Sequence, residues 1–459
     1  MAFSNKLVFI LAASFFLFIP LALFAQDSTS PNINLTLSDT VLIAFENNKD
    51  IQMQEQEVAI ASANILEATS SFLPQLNLQA GYTRNDKVLS PPNIYSGYRN
   101  DNLAQVALSQ SIYSGGANMA NLKQAKLSLE VQQETLRTKK MDLEFEAKRI
   151  YYGLLLAYET ERIACDALDQ AIAHYENVKQ MYKHGTASKF DLLQSGVQVS
   201  LLEPNVVKAK NEINSLKADL NKLLARKIET PIQTQERLEY SFIGIKENEF
   251  LKAAYLNRPE MKLKTLGIDI DKWGIQMAKS GYRPKIDLFG NLSYRSNSLG
   301  NMLNQKQQNW NAGVSINIPI FEGFSTKAKV EAASALYAKS KIDKDNLTDT
   351  IAVEIHKACL NLKEAASIIQ SQKDNVEEAK EALRIAEVSY RNGVAINLDV
   401  LDSQVSLAQI QTNLVSGIYD YLMARAYLDR SIGKSILNLA TGVVNGPIDI
   451  QGEKNEKKA

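Results

Sequence analysis

Cysteine, histidine and tryptophan are scarce in this chain of 459 residues, which contains two, three and two of them respectively. None of the histidines, His174, His184 and His356, lies beside a second one. The sequence has no His-Glu-x-x-His, paired-cysteine, phosphate-binding glycine or nucleophilic serine motif. We therefore predict that the chain is not an enzyme and that it holds no metal ion and no cofactor.

An excess of charge of either sign is also lacking, since the chain has 51 basic and 51 acidic residues. A basic excess would favour nucleic-acid binding, and an acidic tail would favour a disordered arm. The balance predicts no nucleic-acid partner.

Long hydrophobic runs are absent beyond the N-terminus. Residues 7–24 form an apolar stretch that follows Lys6 and is interrupted by Pro20, and Ala25 supplies the small residue that precedes a cleavage site. This pattern predicts a signal peptide at residues 1–25, and the alternative is an uncleaved membrane anchor. No later stretch approaches ~18 apolar residues, so we predict no transmembrane helix in the mature chain.

What the chain does contain is an internal repeat. Residues 106–203 align with residues 314–411 without a gap, and a fourteen-residue bend at 182–195 recurs at 390–403 with six identities. The repeated unit is predicted to be helix, strand, strand, long helix, bend and return helix. The predicted divisions are a first repeat at 36–227, a linker at 228–247, a second repeat at 248–435 and a C-terminal tail at 436–459.

Runs without proline or glycine predict long helices. Residues 117–183 contain no proline and one glycine, and residues 324–392 contain neither, so each run predicts a helix of roughly 100 Å. Shorter helices are predicted at 38–70, 188–227 and 396–435. Pro204 predicts a kink or break in the second of these.

The two cysteines lie at unmatched heights in the two long helices. If the helices stand side by side, the offset between Cys165 and Cys359 is about 21 Å along the axis. A disulfide requires Cα atoms within about 7 Å of each other. We expect two free thiols that pack as small core residues.

Apolar and polar residues alternate in four segments, which predicts strands with one apolar and one polar face. The predicted strand pairs are 74–85 with 102–113, and 284–295 with 308–321. An ordinary half-buried sheet would show the same alternation. Three features favour a transmembrane sheet: a length of ten to twelve residues, a small uncharged polar face, and aromatic residues near the strand ends. These aromatic residues are Tyr82, Tyr113, Tyr294, Trp310 and Phe321.

Four strands cannot close a barrel, because closed barrels need about eight or more strands. Lipid does not tolerate an open sheet edge, since unpaired backbone groups cost several kcal/mol each. A membrane sheet therefore implies an oligomer, in which two chains would supply eight strands and three chains twelve.

Acidic residues follow each bend. Asp399 and Asp402 share a helix face, whereas the first copy has Asp191 and Gln194 at the matching positions. An acid in the first turn of a helix is favoured by the helix dipole, which explains Asp191 and Asp399 but less readily Asp402. Around a three-fold axis, the pair would instead form a ring of six carboxylates that selects cations.

Residues 36–435 resemble the TolC-like outer-membrane efflux proteins. The resemblance rests on Leu-Pro-Gln-Leu-Asn-Leu at 73–78, on Ile-Tyr-Ser-Gly-Gly at 112–116, on Ile-Phe-Glu-Gly-Phe at 320–324 and on the two Tyr-x-x-Gly…Asp bends. No single motif is diagnostic, but their order in two copies is specific.

The resemblance implies a mixed α/β membrane protein in the outer membrane of a Gram-negative bacterium. A homotrimer would form a twelve-stranded transmembrane β-barrel, with four strands from each chain, continued into the periplasm by a long α-helical coiled-coil barrel. Such a protein is a passive duct of a tripartite efflux or type I secretion system. It would contact outer-membrane lipid and a periplasmic adaptor (membrane fusion protein), which links it to an inner-membrane RND or ABC pump.

The resemblance also implies roles for residues at the bends 182–191 and 390–399. The adaptor would dock there, at positions that include Gly185, Asp191, Gly393 and Ala395. Asp399 and Asp402 fall on the acidic constriction positions of the family, and Tyr390 on its gating tyrosine.

The family pattern is incomplete at two positions. Ala395 and Ile418 replace residues of the family's closed-state salt-bridge lock, so the resemblance does not imply that lock here. An alternative function is a periplasmic helical-hairpin adaptor, which would typically have one hairpin between β domains rather than two.

Overall fold

The computed structural model describes residues 33–86, 100–234, 236–298, 300 and 308–434. The predicted signal peptide at 1–25 and the tail at 436–459 lie outside the described residues. Within the described ranges, no helix is long and apolar enough to cross a membrane.

The order of helices and strands occurs twice along the chain. The first half contains β1 (Ile33–Leu35), α1 (Leu37–Asn47), α2 (Lys49–Ser70), β2 (Gln75–Arg84), β3 (Asn100–Tyr113), α3 (Ala117–Lys183) and α4 (Lys189–Leu223). The second half contains β4 (Ile232–Thr234), α5 (Glu247–Asn257), α6 (Pro259–Lys279), a 3-10 turn (Ser280–Tyr282), β5 (Lys285–Ser296), β6 (Gln308–Asn317), α7 (Ser325–Arg391) and α8 (Asn397–Ile432).

The single helix predicted at 38–70 is wrong, because the chain breaks between α1 and α2. Asn48 has an extended backbone, and its side-chain oxygen accepts a hydrogen bond from the Asp50 amide at 2.9 Å. An asparagine in this position starts a new helix by satisfying a free N–H group. The second half breaks in the same place, where Arg258 precedes Pro259 at the start of α6.

Two prolines lie at other predicted boundaries, and a strand ends before one of them whereas a helix continues through the other. The strand predicted at 308–321 ends at Asn317, because Pro319 has no N–H group for the ladder. Of the kink or break predicted at Pro204, the break is wrong, since α4 continues through this residue. Ser200, whose carbonyl loses its helical partner there, is exposed and can bond to water instead.

The four long strands form one antiparallel sheet in the order β2-β3-β5-β6. Leu78 pairs with Val106, Val106 with Leu292, and Leu292 with Trp310, so one face of the sheet is apolar across all four strands. This face is bare in the single chain, where Leu78 is 77% exposed and Trp310 is 71% exposed. The alternation therefore identified the two faces of the sheet correctly.

The opposite face of the sheet is polar and hydrogen-bonded through side chains. Gln105 donates to the Asn291 side-chain oxygen at 3.1 Å, and Asn291 donates to that of Asn311 at 2.9 Å. Amides thus link three strands across this face, and the Arg295 guanidinium also pairs with the Asp101 carboxylate between β3 and β5, so the polar face is not uncharged, contrary to the prediction.

The helices pack as a layer in which α3 is central. Near the bends, α3 lies between α4 and α8, and α8 also packs against α7. Near the sheet, α3 lies between α2 and α6, and α6 also packs against α7. Consequently α4 and α2 form one edge of the layer, and α7 forms the other. The two thiols are free, with Cys359 buried and Cys165 half-buried.

Candidate functional site

The two bends have the same backbone turn. Gly185 and Gly393 follow the ends of α3 and α7 with φ of 77° and 72°. The turn is closed by Thr186 N donating to Met181 O at 2.8 Å, and by Val394 N donating to Ser389 O at 2.9 Å. Only glycine adopts this left-handed conformation without steric cost, which explains why the glycine recurs.

Asp191 caps the return helix of the first hairpin. Its carboxylate accepts hydrogen bonds from the Ser188 amide at 3.1 Å and from the Ser188 hydroxyl at 2.8 Å. The Ser188 oxygen accepts in turn from the Asp191 amide at 3.0 Å. This reciprocal pair is a capping box, so the helix-start interpretation accounts for Asp191.

The acids of the second bend have different surroundings. Asp399 accepts from the Ile396 amide at 3.0 Å, and Ile396 has no side-chain oxygen to return the bond. Asp402 is exposed and makes no hydrogen bond or ion pair with any described residue. Capping therefore explains Asp399 and leaves Asp402 without a structural role.

Tyr390 is buried between the hairpins, with 8% of its surface exposed. It packs in a cluster with Val178, Val400 and Leu407, and its ring centroid lies 5.4 Å from that of His174. Its hydroxyl is buried and has no hydrogen-bond partner in the described part of the chain. Burial, with a smaller effect of the Asp191 charge, raises the pKa of Tyr390.

A buried polar cluster lies beside this ring. The Asn397 side-chain oxygen is 2.7 Å from Nε2 of His174, and its Nδ2 donates to Gln194 Oε1 at 3.0 Å. Ser195 Oγ lies 3.3 Å from the same oxygen of Asn397. Sequence reasoning missed this cluster. The available signal was a departure from the repeat, because the first copy has Lys189 where the second has Asn397.

The two positions that depart from the family pattern carry no ionic group. Ala395 is half-buried in the second bend, and its amide donates to Ser389 O at 3.3 Å. Ile418 packs against the apolar core between α7 and α8. A lock at the bend therefore requires other side chains.

Four of the five predicted girdle residues lie near the two ends of the sheet. Tyr82, Tyr294 and Trp310 lie near the loop ends of the strands, and Tyr113 lies near the helix end on the same apolar face. Tyr82 pairs with Asn102 on β3, and Asn102 and Tyr113 are about 36 Å apart along that strand. Tyr82 and Tyr113 therefore lie at opposite ends of the sheet. Phe321 lies outside the sheet, with its ring 5.5 Å from that of Phe324.

Both edges of the helical layer expose apolar side chains at helical spacing. On one edge these are Phe190, Leu193 and Val197 of α4 and Met53 and Ile60 of α2. On the other edge they are Val353, Leu360, Ile385 and Val388 of α7. The single chain thus has two bare apolar seams on opposite sides.

A family model described as "Outer membrane efflux protein" matches the chain at residues 42–226 and again at 250–434. The chain belongs to this family. The two matches are offset by 208 residues, so each covers one copy of the repeat.

Curated relatives match most of the chain at low identity. Alkaline protease secretion protein AprF from Pseudomonas aeruginosa is 20% identical over 402 residues, which are 86% of this chain and 83% of that protein. Outer membrane protein TolC from Vibrio cholerae is 21% identical over 396 residues, which are 85% of this chain and 89% of that protein.

Solved structures share the fold. A crystal structure of CusC matches with a TM-score of 0.76 at 20% identity, over 88% of this chain and 93% of that chain. The outer membrane protein VceC from Vibrio cholerae matches with a TM-score of 0.75 at 17% identity, over 87% and 96%.

The resemblance to TolC-like efflux proteins drawn from the sequence is confirmed. The chain is an outer-membrane protein of the efflux and type I secretion class of channels. A periplasmic adaptor does not fit this membership.

Proposed function

We propose that the chain is one subunit of a homotrimeric passive duct that leads from the periplasm across the outer membrane. Each chain supplies four strands to a twelve-stranded barrel and its long helices to a periplasmic α-helical barrel. The duct performs no catalysis and needs no cofactor, because a partner pump supplies the energy.

The two-faced sheet with open edges carries this proposal. Its apolar face suits lipid, and its amide-lined face suits a water-filled lumen. Among the described residues of one chain, β2 and β6 each have an unpaired edge, which lipid does not tolerate. Pairing β6 of one chain with β2 of the next satisfies both edges. Two chains would also close a sheet, and the resemblance to the TolC-like family favours three.

The helical layer supports the same assembly. The α2 and α4 seam lies on the side of β2, and the α7 seam lies on the side of β6. A contact between two different surfaces of one chain generates a closed ring when its rotation permits. The same rotation that joins the strands therefore buries both seams.

The bends are the proposed end of the duct that meets its partners. The name of the AprF relative refers to secretion of an alkaline protease, and the BepC relative from Brucella suis is called an efflux protein. By analogy, we assign a periplasmic adaptor and an inner-membrane RND or ABC pump as partners. Gly185, Asp191, Gly393 and Ala395 form the adaptor-docking tips.

The second bend is the proposed constriction. In a trimer, Asp399 and Asp402 would contribute six carboxylates around the axis, and such rings favour cations over anions. Both side chains are exposed at the end of the hairpin, which supports this assignment. Tyr390, in contrast, is buried and packs inside the chain.

Membrane fractionation followed by bilayer recording tests the proposal. The protein extracted from outer membranes is expected to migrate as a trimer before heating and as a monomer after heating. The unheated species is expected to form ion-conducting pores in planar bilayers. A monomer released with the periplasmic contents, without pores, would contradict the duct and favour the adaptor alternative.

A further inference from the structure

Asn397 joins three helices at the hairpin tip, and a fourth helix packs against the same cluster. It is the first residue of α8 and is only 2% exposed. Its side chain contacts His174 on α3 and Gln194 and Ser195 on α4. The ring of Tyr390 on α7 packs against the same His174 ring at a tilt of 56°. One amide therefore connects the second hairpin (α7 and α8) to the first (α3 and α4).

The direction of the central hydrogen bond follows from its neighbours. Because Asn397 Nδ2 donates to Gln194, the atom that faces His174 is the carbonyl oxygen Oδ1, which only accepts. Nε2 of His174 must then carry the hydrogen. Ser195 Oγ lies 2.8 Å from the Asp191 carbonyl and gives its hydrogen there, so its longer contact with Asn397 is secondary.

The bond between His174 and Asn397 is buried beside an apolar cluster. Val178, Val400 and Leu407 belong to the same buried cluster as Tyr390, and the side chains of His174 and Asn397 are almost fully buried. Breaking the bond there leaves the buried Nε2 of His174 without its partner and Oδ1 of Asn397 with only the longer Ser195 contact. Losing a buried hydrogen bond in this way costs more than losing an exposed one. The hydroxyl of Tyr390 has no described partner and therefore adds nothing to this link.

We infer that His174 and Asn397 form a tip latch, which positions the second hairpin against the first and holds the constriction narrow. This inference rests on the proposed function, because the hairpin that it fixes carries Asp402. The latch occurs once in each chain, since exposed Lys189 takes the place of Asn397 in the first copy.

Single-channel recording of Asn397→Leu tests the latch. Leucine is similar in size to asparagine but has no hydrogen-bond acceptor. The open probability of the channel is therefore expected to rise roughly tenfold. Asn221→Leu is the matched control, because Asn221 is a buried amide whose bonds go to Ile228 and Thr230, far from the bend. The open probability of this control variant is expected to equal that of the wild type.

Substitutions of the two rings separate the latch from a tyrosine gate. His174→Leu is expected to behave like Asn397→Leu, whereas His174→Gln retains an N–H donor and is expected to restore near wild-type recordings. Tyr390→Phe is expected to leave the open probability unchanged. An increase with Tyr390→Phe equal to that with Asn397→Leu would overturn the latch.

A chemical readout works even without channel activity. Val178 is fully buried between the hairpins, so Val178→Cys reports their separation when Cys165 and Cys359 are replaced by alanine. Maleimide labelling of this cysteine in the folded trimer is expected to be roughly tenfold faster with Asn397→Leu. Unchanged labelling overturns the latch, and faster labelling with unchanged open probability overturns its role in gating. Absence of pores from the wild type contradicts the proposed duct, while the labelling still tests the contact.

Discussion

The two hairpin tips share a backbone and differ in their side chains. Each tip turns at a left-handed glycine after a 67-residue helix, and each return helix has an aspartate at its third position. The first tip has a complete capping box from Ser188 and Asp191. The second has Ile396 in place of the serine and gains Asn397 and Asp402.

The difference shows which features the geometry requires. A hairpin needs the glycine and one helix cap, so both copies retain them. Asn397 and Asp402 are not needed for the turn, since the first copy turns without them. Side chains that break the repeat are therefore the better candidates for function, and substitutions at matched positions in the two copies separate them from the side chains that the turn requires.

The largest expected effect is on the sheet, where the two copies should respond alike. Leu78→Lys in the first copy and Leu288→Lys in the second each place a charge on the proposed lipid face. Each is expected to destabilise the trimer by about 2–4 kcal/mol, as for lysine near the middle of a membrane barrel. Denaturant unfolding in lipid and the yield of heat-sensitive trimer measure the loss.

The control for the sheet lies one residue away. Asn77→Lys places the same charge on the polar face, where the proposed lumen hydrates it, and a change below about 1 kcal/mol is expected. Equal losses at Asn77 and Leu78 would show that the two faces do not separate lipid from water.

The turn glycines are expected to have the next largest effect. Gly185→Ala and Gly393→Ala force a side chain into the left-handed conformation, at a cost of about 1–2 kcal/mol each. Amide hydrogen exchange at each bend should therefore accelerate by roughly five- to thirtyfold.

Gly153 in the middle of α3 is the matched control. An added methyl group would lie 3.6 Å from Leu216, an ordinary contact, so Gly153→Ala is expected to slow exchange rather than accelerate it. If only one of the two bends responded to alanine, the two turns would not be equivalent.

The helix caps should distinguish the copies. Ser188→Ala removes half of the first capping box and is expected to destabilise the start of α4 by about 1 kcal/mol. Ile396→Ser completes the second box and is expected to stabilise the start of α8 by up to about 1 kcal/mol. Hydrogen exchange of the first-turn amides measures both, and faster exchange in Ile396→Ser would contradict the second expectation.

Much of the fold could be predicted from the sequence, because its patterns are local. The absence of proline set the extent of α3 and α7, and strict alternation identified the faces of the sheet. The break at Asn48 was missed because helix-forming residues continue on both sides, and only a capping contact stops the helix there. The continuation through Pro204 depends on solvent exposure, which the sequence does not state.

The candidate site was less predictable, because its contacts join distant segments. His174 and Asn397 are 223 residues apart, and each has an unremarkable local sequence. Tyr390 was assigned by resemblance to a gating role, but its burial depends on the packing of four helices. Pairings between helices therefore had to come from the structure.

The smallest expected effect concerns the acid that only the second copy has. Replacing the exposed Asp402 by alanine removes three of the six proposed ring carboxylates, and block by a trivalent cation such as hexamminecobalt is expected to weaken roughly threefold. The double variant with Asp399→Ala should weaken the block further, while Asp399→Ala alone should also disturb the start of α8.

Gln194→Asp restores the symmetry of the repeat, but Gln194 accepts a hydrogen bond from Asn397 inside the chain. It should therefore add little to the block, and unchanged block in the Asp399 and Asp402 double variant would remove the carboxylate ring from the proposal.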